Sequence, residues 1–124
     1  MIKTKSLIIV SGILGFLAVS LGAFGAHILK DKISDDLLSV FQTGILYHLI
    51  HTVVVLVIAI NADNRFFKAA IFMISGIVLF SFSLYIYSVT QIKIFAMITP
   101  FGGVSFLIGW LLIVIEGVKL KIRS

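Results

Sequence analysis

The chain has 124 residues, 60% of them hydrophobic and only 12% charged, with a formal net charge of +5. Soluble domains carry about 45–50% apolar and about 25% charged residues, so most of this surface has lipid as its natural solvent. Cysteine is absent, which excludes disulfides, thiolate metal sites and thiol chemistry, and the basic residues stand at segment ends, as membrane-topology charge does, and form no nucleic-acid patch.

Four apolar stretches follow in chain order, each near the roughly 20 residues that a spanning helix needs. The first covers about residues 6–29, "SLIIVSGILGFLAVSLGAFGAHIL", after Lys3 and Lys5. Its apolar run exceeds the roughly 7–15-residue core of a signal peptide, so it reads as a retained helix. Ser11, Gly15, Ala18, Gly22, Gly25 and Ala26 share one helical face. Such a smooth stripe lets backbones approach closely.

The link "KDKISDD" leads to the second stretch. Ser34 followed by Asp35 and Asp36 reads as an N-cap with acids in the first turn. A short pre-membrane helix is expected over about 34–43, running or bending at Gly44 into a span over about 44–61. Gly44, Tyr47, His48 and His51 fall on one face, and a face so polar should turn from lipid. After "NADNR" the third span covers about 66–89 and carries Ser81, Ser83, Tyr85 and Tyr87 in its outer part. After "TQIK" the fourth covers about 94–118, with Thr99 and Pro100 in its first turns. Pro100 fits the N1 position or a kink. Gly102, Gly103 and Gly109 are the packing candidates here, with Ser105 and Glu116 on the same side. Trp110 lies too deep for an aromatic belt and is expected to fill a gap between helices. Glu116 with Lys119 one turn on reads as an i,i+3 pair.

Short links make sequential neighbours antiparallel, so the expected fold is an all-α, integral membrane four-helix transmembrane bundle. With the N-terminus inside, Lys3, Lys5, Arg65, Lys68, Lys119, Lys121 and Arg123 lie on the inner side and Lys30, Lys32 and Lys93 on the outer, seven against three. Both termini are therefore expected inside.

Antiparallel threading gathers His27, Gln42, Tyr47, His51, Ser81, Ser83, Tyr85 and Thr99 near the outer side. Three readings stay open. Polar side chains can bond across helices and fix the packing. Alternatively, His27 and His51 can hold a haem, a quinone or a metal, or His48 and His51 can offer two nitrogens to Zn or Cu. "HLIH" lacks the spacing and glutamate of the zinc-peptidase helix, and no cofactor is required by the sequence. Third, the histidines and Glu116 can serve a proton or small-molecule path in an oligomer. The expected partners are the bilayer and either a second copy or another membrane protein, with no nucleic acid. No nucleophile–base triad or phosphate loop argues for an enzyme.

Four segments, "LGAFGAH", "QTGILYHLIH", "FSFSLY" and "TPFGGVSFLIGW", together resemble the DUF423 family, also called the UPF0382 membrane-protein family and related to the mitochondrial TMEM-256. The resemblance runs in order over almost the whole chain. It implies a small multi-pass protein of the bacterial plasma (inner) membrane. Gly22, Gly25, His27, Gln42, Thr43, Gly44, Tyr47, His51, Ser81, Ser83, Leu84, Tyr85, Thr99, Pro100, Gly102, Gly103, Gly109 and Trp110 sit on the family pattern. His27 and His51 become the pair of interest. The pattern reads "FSGSLY" where this chain has Phe82, and His48 lies outside it.

Overall fold

The computed structural model describes residues 2–121, and these hold four helices long and apolar enough to cross a membrane. Helix α1 runs Ile2–Ser20, widens into a π-helical turn at Leu21–Gly25 and ends as Ala26–Leu29. Helix α2 is Asp35–Asn61. Helix α3 opens as a 3-10 turn, Asn64–Phe66, runs Phe67–Gly76, widens into a second π-helical turn at Ile77–Phe82 and closes as Ser83–Thr90. Helix α4 is Lys93–Lys119. Arg123, one of the inner-side cations, lies outside the described residues.

The helix ends follow from local chemistry. The Leu37 N–H donates to the Ser34 hydroxyl at 3.2 Å, with Asp35 and Asp36 in the first turn, which is the expected N-cap. The pre-membrane helix is not separate, because α2 passes through Gly44 unbroken. Glycine is a weak helix former, but here it serves packing: a Cβ at Gly44 would lie 2.7 Å from the Tyr85 ring. Helices α2 and α3 each stop at a left-handed residue, Ala62 (φ 55) and Gln91 (φ 56). The Ala62 N–H donates to Ile58 O at 3.2 Å and the Gln91 N–H to Tyr87 O at 2.7 Å, which closes the last turn.

The Arg65 guanidinium donates twice to Asp63, at 3.0 and 2.7 Å. It holds the Asp63 carboxyl below the usual carboxylate range. The pair is exposed, so its stabilisation is small. That stabilisation is present above the ordinary carboxylate pKa and lost as pH falls through the lowered one.

Pro100 is not at N1 of α4; it lies inside the helix. Its missing N–H leaves a gap in the ladder, beside which Thr99 bonds back to Phe95 O at 3.0 Å.

Helix α1 packs chiefly on α2, α2 on α3, and α3 on α4. The two small-residue faces therefore do not meet each other. The α1 face lies on α2: Ser11 and Ala18 are buried, and Cβ atoms at Gly22 and Gly25 would lie 3.2 Å from Ile45 and 3.0 Å from Phe41. The α4 face lies on α3. A Cβ at Gly102 would collide with the backbone of Leu79 and Phe80, and one at Gly109 would sit 3.0 Å from Met73. Gly103 stands apart, with only Phe80 in reach at 3.9 Å. A helix of 27 residues is about 40 Å long against about 30 Å of hydrocarbon. His48 is the middle residue of α2, so with α2 centred on the bilayer it lies near mid-depth. Inward of it, Val55, Ile58, Ala59, Ala70, Met73 and Ile77 belong to one buried apolar core.

Gly102→Ala should lower stability by about 1–3 kcal/mol, the range for overpacking. Gly117→Ala meets nothing within 4 Å and should be neutral or stabilising by up to about 1 kcal/mol. Thermal unfolding in detergent, followed by circular dichroism, separates the two. Equal melting would contradict the close α3–α4 approach.

Candidate functional site

His51 is buried on α2 and its Nδ1 lies 2.6 Å from Tyr47 O. A carbonyl oxygen only accepts, so Nδ1 carries the proton. The Nε2 lone pair then accepts the Trp110 indole N–H at 3.0 Å. The ring also stacks on Phe106, with centroids 3.7 Å apart. His51 is thus a neutral imidazole with both nitrogens engaged. Trp110 does not fill a gap between helices: it is 42% exposed and stands at the mouth of a groove between α2 and α4. That groove holds about 400 Å³ and is lined by Leu46, Tyr47, Ile50, His51, Gly103, Phe106, Leu107 and Trp110. Tyr47 is 40% exposed and packs its ring on Phe80 at 4.7 Å. Among the described residues its hydroxyl has no hydrogen-bond partner.

His48 is fully buried, and its Nδ1 lies 2.8 Å from the Tyr85 hydroxyl. That hydroxyl has no other acceptor among the described residues, so it donates to Nδ1 and the imidazole proton sits on Nε2. The Leu14 backbone lies beside the ring without completing a hydrogen bond, and Nε2 stays unpaired. The buried Ser81 hydroxyl is likewise unpaired. Phe82 meets the His48 ring edge-on at 5.4 Å. His48 and His51, three residues apart, therefore serve different helices: His48 bonds α3 and His51 bonds α4.

A third polar contact joins α3 to α4. Ser83 Oγ lies 2.6 Å from Leu79 O, 2.8 Å from Phe80 O and 2.6 Å from Thr99 Oγ1. Thr99 donates its single proton to Phe95 O, so the Ser83 proton is shared between the carbonyls of the π-helical turn and Thr99 Oγ1. Ser105 adds a bond across the same interface, donating to Phe72 O at 2.7 Å.

The residues expected to cluster therefore separate. His27 is exposed at the end of α1. Gly25 faces Phe41 and Gly15 faces Thr52, so His27 is level with Phe41, about 15 Å along the axis from His51. The two cannot be paired axial ligands. Gln42 is exposed and joins nothing. Ser81, Ser83, Tyr85, Thr99 and His51 all reach interhelical positions, but within three distinct contacts. Those around the histidines lie at the middle of α2 and not at its first turns, because α2 begins at Asp35. Among the described residues no three His, Cys, Asp or Glu side chains gather as a metal site. Sequence reasoning placed His48 on the inward face but set it aside as off the family pattern, and it missed Phe106, for which an apolar helix gives no signal. Trp110 was legible only as a pattern residue.

His51→Ala should destabilise by about 2 kcal/mol, from two interhelical-scale bonds of about 0.6 kcal/mol each and about 0.5–1.5 kcal/mol of ring stacking. Trp110→Phe removes one bond and should cost about 0.6 kcal/mol. Unfolding midpoints in mixed detergent order the two. A larger loss for Trp110→Phe would contradict this geometry.

The family model described as "Protein of unknown function (DUF423)" matches residues 21–103. The chain is 50% identical to the UPF0382 membrane protein YwdK of Bacillus subtilis, over 93% of this chain and 98% of the relative. It is 38% identical to the UPF0382 inner membrane protein YgdD of Escherichia coli K12, over 95% and 93%. A UPF0382 membrane protein of Staphylococcus aureus is 41% identical over 93% and 97%. No solved structure matches. Relatives named as bacterial membrane proteins and four apolar helices together make this a multi-pass protein of the bacterial inner membrane. By family model and full-length relatives alike, the chain belongs to the DUF423 family of UPF0382 membrane proteins.

Proposed function

We propose that the protein acts without catalysis, by recognition inside the bilayer, and that the α2–α4 groove is its recognising surface. One observation carries this reading. His48 and Tyr85 are sealed within the bundle, whereas Trp110, bonded to the buried His51, is exposed along the α2–α4 groove. Polar groups facing hydrocarbon are expensive and mark functional positions. A non-catalytic role follows from how the other hydroxyls are used: Ser11, Thr52, Ser83, Ser88 and Ser105 all donate to backbone carbonyls. Four of them bond within their own helix and Ser105 bonds across to α3.

Gly103→Leu tests the groove. Its Cβ meets only Phe80 at 3.9 Å, so the side chain fills the groove without parting α3 and α4. Native mass spectrometry from nanodiscs should show a retained membrane component on the wild type and none on Gly103→Leu. Bare protein in both would overturn the reading.

The same proposal places both termini in the cytoplasm. Among the described residues Lys3, Lys5, Arg65, Lys68, Lys119 and Lys121 mark one end, and Lys30, Lys32 and Lys93 the other. The chain has no cysteine, so single cysteines report topology directly. An impermeant maleimide applied to intact spheroplasts should label Lys32→Cys and spare Asn64→Cys. The reverse pattern would invert the protein.

A further inference from the structure

We infer that the α2–α4 groove binds a neutral lipophile bearing a ring carbonyl, of the isoprenoid quinone class, with the Tyr47 hydroxyl donating to that carbonyl. This rests on the groove being the recognising surface and adds the chemistry of its occupant.

Depth sets the first limit. His51 lies one turn from the middle of α2, which with α2 centred on the bilayer is about 5 Å from the bilayer centre. The hydrocarbon boundary is about 15 Å from that centre. A charged or zwitterionic head group belongs at the boundary and does not descend so far. The occupant's polar atom must be one that dissolves in hydrocarbon.

Hydrogen bonding sets the second. The Trp110 N–H is engaged by His51 and the His51 Nδ1–H by Tyr47 O. The Tyr47 hydroxyl is the donor left over in the groove, so the complementary ligand group is an acceptor. An acyl chain lying there supplies none and leaves a donor orphaned in a medium without water, which is costly. A carbonyl oxygen satisfies it.

Shape sets the third. Tyr47, His51, Phe106 and Trp110 give aromatic walls, suited to a flat ring. The volume of about 400 Å³ falls in the usual range for small-molecule sites, roughly 300–1,000 Å³. Leu46, Ile50 and Leu107 border the same groove and provide aliphatic contact for an isoprenoid tail.

Trp110 is the sole tryptophan, so its fluorescence reports the groove. Purified protein in nanodiscs of neutral and anionic phospholipid is titrated with decyl-benzoquinone. The expected result is saturable quenching, with Tyr47→Phe weakening apparent affinity about tenfold, the scale of one lost hydrogen bond. Decylbenzene, which lacks carbonyls, should not compete. Linear quenching that is equal in wild type and Tyr47→Phe is collisional and overturns the inference. Quenching that weakens as the protein-to-lipid ratio rises assigns the groove to a second copy and overturns it too. Phospholipids brominated at mid-chain separate the two levels of the proposal. If they fail to quench Trp110, the groove is closed to the bilayer and the recognising-surface reading falls. If they quench while the quinone curve stays linear, only the ligand class falls.

Discussion

The ring of Phe106 lies in the space that Gly76 leaves on α3, where a Cβ would collide with it. The other face of that ring carries His51 at 3.7 Å. Three helices thus meet in one stack: α3 through a missing side chain, α4 through a phenyl ring, α2 through an imidazole. Much else follows from it. The stack fixes the His51 ring plane, and the ring plane presents Nε2 to the indole one turn further along α4. In hydrocarbon such an arrangement cannot be driven by apolar burial, because lipid is as apolar as the helix surface. It depends on close backbone approach, and Gly102 against the Leu79–Phe80 backbone supplies that approach.

The two π-helical turns set what each helix shows to its neighbours. On α3, Met73, Ile77, Ser81 and Tyr85 are all buried, four residues apart each time. An ordinary helix at about 3.6 residues per turn would rotate such a series steadily off one face. The wide turn at Ile77–Phe82 absorbs the drift and keeps Ser81 and Tyr85 toward α2. Widening disturbs the carbonyl ladder, and Ser83 answers it with a hydroxyl donor. Wide turns of this kind are frequent at functional sites. Here one underlies the His48–Tyr85 contact.

Much of this architecture was legible from residues alone. Hydropathy gave four membrane-crossing helices, Ser34 with two following acids marked the start of α2, and the small-residue face of α1 lies on a neighbour as a packing stripe should. What composition could not see was where a polar helix continues into an apolar one. The residues Asp35 to Thr43 are too polar to count as span, so the histidines seemed to open the second helix when they lie at its middle. Nor does a helical wheel carry register between helices. Only the opposition of Gly25 to Phe41 shows that His27 is turns away from His51. A uniform wheel also misses wide turns, and a family pattern gives no weight to a residue outside it, as happened with His48.

That residue has a companion. His48 and Phe82 are the two side chains noted as departing from the family pattern, and they touch edge to ring at the middle of α2. A glycine at 82 would leave a hollow beside residue 48, and a buried imidazole with an unpaired N–H is poorly suited to face one. Each substitution conditions the other, as contacting residues do. Changing either residue alone should be tolerated less well than changing both together.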